Sequence, residues 1–245
     1  AGVDTSQVVF SDDMITPLAS VLVNRLTGSR TIITRKMQTP PSLTYDQKLK
    51  LDDLAERLIA AEEPVTILID GHEPEISEYL IKKLPNARVV MDGGSLRASN
   101  IKLAAWTDYF VVSEHFARDY MSYRSLSTEA EIKAALIELN KICRGEAFIT
   151  LGEKGCAFLK SGMLQIVPSW LCNAVDTTGA GDVFHGAFTY GVHYSWHIDN
   201  IILFASLTAA ISIEKKGVRE SMPDLAGVHH SLNNYERNLK QYFEE

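Results

Sequence analysis

The sequence predicts an α/β fold in which a mostly parallel sheet carries helices on both faces. Short apolar runs such as residues 65–69 and 87–91 are typical of buried parallel strands. Longer stretches with apolar residues at helical spacing, such as residues 129–143, alternate with these runs. This alternation indicates βαβ units, which build a doubly wound sheet.

The first part of the chain is rich in strand-forming residues. Residues 18–24 and 30–35 favour strands, and the Thr-Gly-Ser stretch between them favours a turn, so this segment predicts a hairpin. Two consecutive prolines follow and indicate a break. We therefore expect residues 1–40 to form a separate segment with a linker, and residues 41–245 to form the α/β domain.

The elements of the α/β domain are predicted in order along the chain. Helices are expected at residues 44–61, 73–83, 129–143, 182–194, 199–215 and 225–242. Strands are expected at residues 65–69, 87–91, 108–112 and 146–151, and then as an antiparallel pair at 156–159 and 163–167. The pattern predicts that the last three helices close the chain after the antiparallel pair.

Charge and composition argue against several classes of protein. The 31 acidic residues outnumber the 24 basic ones and give a net charge of -7, which is unlike a nucleic-acid-binding surface. No apolar run reaches the length that crosses a membrane. The 3 cysteines are widely spaced and form no CxxC pair, which argues against a zinc site or a disulfide framework and favours a reducing, cytoplasmic location.

Residues 175–184 carry the pattern with the most chemical information. Gly179, Ala180 and Gly181 directly precede an amphipathic helix, and Asp182 stands in its first turn. Small residues let the backbone approach a ligand, and the amides of a helix N-terminus favour an anion such as phosphate. A carboxylate at that place can accept the proton of an attacking hydroxyl. The alternative is that Asp182 is only an N-cap and the glycines only a turn.

The string Asp-Thr-Thr-Gly-Ala-Gly-Asp at residues 176–182 resembles the C-terminal signature of ribokinase-like carbohydrate kinases. In that family, the amides of the Gly-Ala-Gly-Asp turn form an anion hole for the γ-phosphate of ATP, and the last Asp is the general base. The resemblance assigns the anion hole to residues 179–182 and the base to Asp182. It implies an ATP-dependent kinase that uses Mg²⁺ and phosphorylates a hydroxyl of a sugar or sugar derivative. A ketose is the first expectation, because the C-terminal half resembles ketohexokinase-like and sulfofructose-kinase-like sequences.

Two further stretches resemble nucleotide-binding loops of the same family. Residues 149–155 are similar to the Thr-x-Gly-x-x-Gly turn that lies along the phosphates, which implies contacts from Thr150, Gly152, Lys154 and Gly155. Residues 216–223 resemble the loop beside the adenine, which implies a contact from Gly217. In several members that loop also helps to bind a monovalent cation. The resemblance therefore implies K⁺ ligands from Asp176, Thr178, Val218 and Ser221.

The hairpin at residues 18–35 resembles the β-lid that covers the sugar in this family. Its first strand is apolar on both faces, since the apolar residues Leu18, Ala19, Val21, Leu22 and Val23 are distributed over both of its alternating faces. Lid strands of ketohexokinase-like and ribokinase relatives often pair with those of a second subunit, and exposed apolar faces and unpaired strand edges favour such an interface. We therefore expect a two-fold symmetric homodimer through the lid. The alternative is a monomer whose lid packs on its own body.

The sequence departs from the family pattern in two places. The family's first strand, with an acidic sugar ligand, and its Gly-Gly-x-x-x-Asn segment have no counterpart, so about two βαβ units, ~60–80 residues, are expected to be absent. The family's Asn-x-x-Glu motif, which is tied to magnesium, is expected after residues 108–112, where the chain has Ser113-Glu114-His115-Phe116. Phe116 stands at the glutamate position, which leaves Glu114 as the candidate magnesium ligand.

Polar residues after two of the predicted strands are lesser candidates. Asp70 and Asp92 each follow a strand, at the ends where α/β proteins bind ligands. Arg97 is either a phosphate contact or part of a surface salt bridge. His185 lies one turn beyond Asp182 and is either a ligand contact or a structural histidine.

Two other functions stay open at this point. One is a nucleoside kinase. The other is a non-catalytic, ligand-binding remnant of a sugar kinase, which the two departures favour. The retained Asp182 argues against a remnant, because a protein without catalysis has no need of a base in the anion hole.

Overall fold

A computed structural model of the chain describes residues 2–8, 16–23, 30–35, 42–217 and 219–232. Internal contacts divide the chain into one unit of residues 1–56 and another of residues 57–245. The first unit holds an antiparallel pair of strands, β1 (Ala19–Val23) and β2 (Arg30–Thr34), as the sequence predicts. Helix α1 (Tyr45–Ala60) begins in the first unit and ends in the second.

The second unit is built on a sheet of six strands that lie in chain order. They are β3 (Thr66–Ile69), β4 (Arg88–Gly93), β5 (Tyr109–Ser113), β6 (Glu146–Thr150), β7 (Cys156–Lys160) and β8 (Met163–Val167). Strands β3 to β6 pair in parallel, whereas β7 and β8 add in antiparallel fashion. Every strand predicted for this region is confirmed, including the antiparallel pair.

The helices agree with prediction in part. They are α2 (Pro74–Lys83), α3 (Ala98–Ala104), α4 (Glu114–Tyr120), α5 (Glu129–Ile142), α6 (Ala180–His193) and α7 (Ile198–Ser212), and residues 225–232 are also helical. Helices α3 and α4 were not predicted, and the helix predicted at residues 199–215 is too long at its C-terminal end, because α7 ends at Ser212. The predicted helical residues after 232 lie outside the described ones. Within the described ranges, no helix is long and apolar enough to cross a membrane.

Two apolar cores lie on opposite faces of the sheet. Successive side chains of a strand point to opposite faces, so Phe110 and Val112 of β5 enter one core and Val111 enters the other. Helices α2 to α5 cover the first core, and α6 and α7 cover the second; their buried contributors include Ile81, Leu103, Phe116 and Leu136 on one side and Phe188, Ile201 and Leu207 on the other. The predicted arrangement with helices on both faces is confirmed.

Side chains close the N-termini of two helices. Before α1, the Thr44 hydroxyl accepts the Gln47 amide at 3.2 Å, and the Gln47 side chain accepts the Thr44 amide at 2.9 Å. Before α5, Thr128 and Glu131 make the same reciprocal pair at 3.2 and 2.9 Å. These capping boxes satisfy amides that a helix leaves unpaired, and helix α6 has no such cap.

Candidate active site

The start of helix α6 leaves backbone amides unpaired. Gly179 takes the cap position with φ of +76°, a left-handed conformation that glycine adopts without strain. Because glycine has no side chain, it cannot cap the helix with a side-chain hydrogen bond. The first bond of the helix joins the Val183 amide to the Gly179 carbonyl at 2.9 Å. The Ala180 amide lies 3.4 Å from the Thr177 carbonyl, and no acceptor among the described residues meets the amides of Gly181 and Asp182. The turn therefore offers two N–H groups to an external anion.

The turn is also open. Gly181 and Asp182 are both exposed, and a methyl group built on Gly181 would meet no atom within 4 Å. The Asp182 carboxyl group stands in the first turn of the helix, at the positive end of its dipole. The site thus has room for an anion beside a carboxylate.

The segment that leads into this turn from Val175 is a loop and not a strand. The amides of Val175 and Asp176 both donate to the carbonyl of Ile213, at 2.7 and 3.1 Å. Ile213 is the residue that follows helix α7. These bonds to a helix end take the place of bonds to a strand.

The Asp176 carboxylate joins the turn to the loop at residue 217. One oxygen accepts the Thr178 amide at 3.1 Å, and the other accepts the Gly217 amide at 3.3 Å. Ser221, which is buried, donates its amide to the Gly217 carbonyl at 3.0 Å. Three of the four K⁺ candidates therefore lie on linked loops, whereas Val218 lies outside the described residues. The described part of the chain holds no group of three or more His, Cys, Asp or Glu arranged for a metal ion.

His185 connects the first turn of α6 to the sheet. It is only 3% exposed. Its Nδ1 lies 2.7 Å from the Gly181 carbonyl oxygen and 3.3 Å from a carboxylate oxygen of Asp92, at the end of β4. Its Nε2 lies 3.2 Å from the carbonyl oxygen of Val111 in β5.

Two other carboxyl groups act electrostatically on Asp92. Burial is the main cause that raises the pKa of Asp92 above its ordinary value, and the neighbouring Asp182 and Asp70 charges raise that pKa further. His185 acts in the opposite direction and favours the ionised form of Asp92. Asp70 follows β3 and Asp182 opens α6, so the strand ends and the helix start form one acidic site.

Comparison with known proteins assigns the family. The model of the pfkB family of carbohydrate kinases matches residues 1–225. The chain belongs to that family. Members with similar sequences include the ribokinase of Lactococcus lactis, 29% identical over 77% of this chain and 60% of its own, and a deoxyribokinase of Salmonella typhi, 31% identical over 57% of this chain and 45% of its own. The chain thus spans only about half to three fifths of the length of these curated relatives.

Solved structures of pfkB-family proteins share the fold. The ribokinase of Giardia lamblia matches with a TM-score of 0.76 at 21% identity, over 91% of this chain and 73% of its own. The ribokinase of Arabidopsis thaliana, solved with ribose and ATP, matches with a TM-score of 0.70 at 20% identity, over 89% of this chain and 69% of its own. At these identities the likeness establishes the architecture alone. The family match over residues 1–225 confirms the resemblance inferred from residues 176–182.

The turn after β6 resembles a turn of the pfkB family, and packing alone explains its glycine at position 155. Residues Gly152–Lys154 form a short 3₁₀ turn, and Gly155 has φ of +102°. A Cβ atom at Gly155 would overlap the carbonyl oxygen of Val167, so a glycine is required there whether or not a nucleotide binds. Thr150 donates to the Val112 carbonyl at 3.4 Å. The structure brings Thr150 to the end of β6, beside the end of β5.

The pfkB-family magnesium motif is not rebuilt at residues 113–116. The Ser113 hydroxyl caps α4 by accepting the Phe116 amide at 3.0 Å and donates to the Gly94 carbonyl at 2.9 Å. Phe116 is fully buried and meets Phe110 edge-to-face at 5.6 Å. The side chain of phenylalanine has no oxygen with which to bind a cation, so these positions do not fit the family's motif. Glu114 is the first residue of α4 and stays an untested candidate.

The contact between Asp92 and His185 was not predicted, although each residue was a candidate from the sequence. They are far apart in the chain, and neither has a spacing motif that connects them. They meet because the end of β4 and the start of α6 lie at the same edge of the sheet. Among the sequence patterns, only their positions at a strand end and beside a helix start pointed to this site.

Proposed function

We propose that this chain is the catalytic part of a kinase that transfers the γ-phosphate of ATP to a hydroxyl of a sugar. The uncapped start of α6 carries this proposal, because two amides without acceptors lie beside the exposed Asp182 carboxyl group. The pfkB family match over residues 1–225 supports it. Helices α2, α3 and α7 also lack a side-chain cap, but among these helix starts only that of α6 has a left-handed glycine at the cap position, followed by the exposed Gly181.

In the proposed mechanism, the amides of residues 179–182 bind oxygens of the transferring phosphoryl group. The acceptor hydroxyl gives its proton to the Asp182 carboxylate while its oxygen bonds to phosphorus, and ADP leaves with the electrons of the broken bond. Each lost amide donor would cost on the order of 10²–10³ in rate. Magnesium bound to ATP would neutralise charge on the phosphates.

The nucleotide contacts are part of the same proposal. Thr150, Gly152, Lys154, Gly155 and Gly217 would lie along ATP. Support comes from the Asp176 carboxylate, which holds the Gly217 loop against the turn that opens α6. The same two loops carry Asp176, Thr178 and Ser221, which would contribute oxygens to K⁺ together with Val218.

The acceptor is proposed to be a furanose-like sugar, either a ketose or a pentose. The ketose follows from the C-terminal resemblance. The pentose is favoured by the names of the relatives, which are ribokinases and a deoxyribokinase. A screen separates these candidates.

The proposed homodimer rests on the lid strands. Leu18, Leu22 and Ile33 share one face of the β1–β2 pair, and they are 61%, 57% and 57% exposed in the single chain. An apolar face of this kind favours a partner surface, and a second copy of the lid would supply one. Sedimentation equilibrium at tens of micromolar gives a dimer if this holds, and a single species of monomer mass contradicts it.

The function is tested by incubating the chain with Mg-ATP and separate ketoses, pentoses and nucleosides. ADP release and the mass of the phosphorylated acceptor are measured together. We expect one sugar to yield equal amounts of ADP and phosphosugar. Phosphorylation of nucleosides alone would favour the nucleoside kinase, and ATP binding without transfer to any acceptor would favour the non-catalytic alternative.

A further inference from the structure

The imidazole of His185 holds the peptide group that supplies one of the free amides. Its Nδ1 lies 2.7 Å from the Gly181 carbonyl oxygen, and that carbonyl belongs to the same peptide group as the Asp182 amide. In a trans peptide the C=O and N–H point in opposite directions, so a bond that fixes the carbonyl also fixes the N–H. A hydrogen bond to the carbonyl also polarises the N–H and strengthens it as a donor.

We propose that His185, held in place by Asp92, is a positioning residue that orients the Gly181–Asp182 peptide toward the γ-phosphate. This inference rests on the proposed kinase function and deepens it. His185 itself is buried and does not touch the phosphate; it acts through the turn. The role goes beyond packing, since three elements converge on the one ring: α6 through Gly181, β4 through Asp92 and β5 through Val111.

Both ring nitrogens of His185 face oxygen atoms. A neutral imidazole donates from one nitrogen only, so one contact would set a lone pair against an oxygen. The Nδ1 contact to the Gly181 carbonyl, at 2.7 Å, is shorter than the Nε2 contact to the Val111 carbonyl, at 3.2 Å, so the geometry favours Nδ1 as the donor. The carboxyl groups of Asp70 after β3 and Asp182 on α6 add further negative charge around Asp92. Since a carbonyl oxygen can only accept, the positioning role requires an N–H at Nδ1.

Helix α6 offers a matched control one turn further along. The Thr189 hydroxyl donates to the His185 carbonyl at 2.7 Å, which is the same type of bond from a side chain to the carbonyl four residues earlier. This bond does not involve the turn at residues 179–182. Thr189→Val removes it with little change in shape, and it reports what the loss of such a bond does to the helix alone.

The test compares three variants of the full chain. His185→Asn keeps an N–H near the position of Nδ1, His185→Phe keeps the ring shape without a donor, and Thr189→Val is the control. Dissociation constants for ATP and for ADP are measured by calorimetry. We expect His185→Phe to weaken the binding of ATP about tenfold more than the binding of ADP. A tenfold change in the dissociation constant is on the scale of one hydrogen bond. We expect His185→Asn to stay within about threefold of the parent, and Thr189→Val to change neither constant.

A purely structural histidine predicts a different result. If His185 is only structural, His185→Phe would weaken the binding of ATP and of ADP equally, or would lower the melting temperature without changing either dissociation constant. Either outcome overturns the proposal. The nitrogen NMR signals of the His185 ring, recorded on the parent chain without nucleotide, give an independent test. A protonated Nδ1 supports the positioning bond, and an Nδ1 that carries only a lone pair overturns it. If the parent chain binds no nucleotide, the kinase proposal fails, and the ring signals still decide whether His185 holds the Gly181 carbonyl.

Discussion

Replacing Asp182 by asparagine tests the proposed chemistry most directly. Asparagine has nearly the same size and keeps an oxygen near the helix start, but it cannot accept the proton of the acceptor hydroxyl. We expect kcat to fall by roughly 10²–10⁴, the usual contribution of a general base. On the transition-state scale this is about 2.7–5.5 kcal/mol.

The structure indicates that this loss will not come from unfolding. Asp182 is exposed and stands in the first turn of α6, where a carboxylate contributes about 0.3–1 kcal/mol through the helix dipole. A change of that size shifts the melting temperature by only a few degrees. The affinity for ATP should be unchanged or slightly higher, because the substitution removes a negative charge beside the phosphates.

Asp199→Asn is the matched control. Asp199 stands in the first turn of α7, is partly exposed and pairs with Lys160 at 2.9 Å. Asp199→Asn removes a carboxylate at a helix N-terminus and an exposed ion pair, which together contribute ~1 kcal/mol to the free energy of unfolding. Neither interaction involves the turn at residues 179–182. The assay is steady-state ADP formation with the acceptor found in the screen, together with calorimetry for ATP. Turnover in Asp182→Asn within threefold of the parent refutes the assignment of the base, and an equal loss in Asp199→Asn refutes the reasoning from position.

Three further predictions concern the parts around the site. Asp176→Asn should lower the free energy of unfolding by about 1.5–3 kcal/mol in urea, because one oxygen that accepts a backbone amide is lost; an unchanged midpoint would contradict the link to Gly217. Thr128→Ala should cost ~1 kcal/mol at neutral pH. Bonds from the Thr128 and Ser127 amides hold the pKa of Glu131 below its ordinary value of 4.5, so the stability lost in Glu131→Gln should be present above about pH 4.5 and should vanish as the pH falls further; an equal loss at pH 7 and pH 3 would contradict the capping box. With a thiol reagent at pH 8, Cys172 should react first. Burial raises the pKa of Cys143 to about 11 and raises that of the fully buried Cys156 further, so early labelling of Cys156 would contradict the packing.

The sheet could be predicted because its strands are continuous apolar runs, a pattern that buried parallel strands require. Helices α3 and α4 could not, since each has seven residues and therefore fewer than two turns in which a periodicity could show. The start of α6 was placed near residue 182 although the helix begins at Ala180. Two glycines lower the helix propensity there, and the left-handed φ of Gly179, which no propensity scale records, sets the first turn.

Part of the site could be predicted from neighbouring residues in the sequence, and part depends on contacts between distant elements. The turn at residues 176–182 is contiguous in the chain, so the residue types alone indicated a phosphate-binding helix start. The contact between Asp92 and His185 needs two elements that only the folded sheet brings to one edge. The same holds for the bond between Asp176 and the Gly217 amide, which joins two loops that flank α6 and α7.

The residue that stands in place of the family's magnesium-binding glutamate, Phe116, belongs to the hydrophobic core and not to the surface of the site. A glutamate at position 116 would replace a fully buried phenylalanine that packs on Phe110. An ionised carboxylate without a partner is strongly disfavoured in such a place, and removal of a buried phenylalanine alone costs about 3–5 kcal/mol. The core therefore disfavours a glutamate at position 116, whatever residue stands at position 113. In the proposed mechanism magnesium would therefore be held by the phosphates of ATP and by water rather than by residues 113–116.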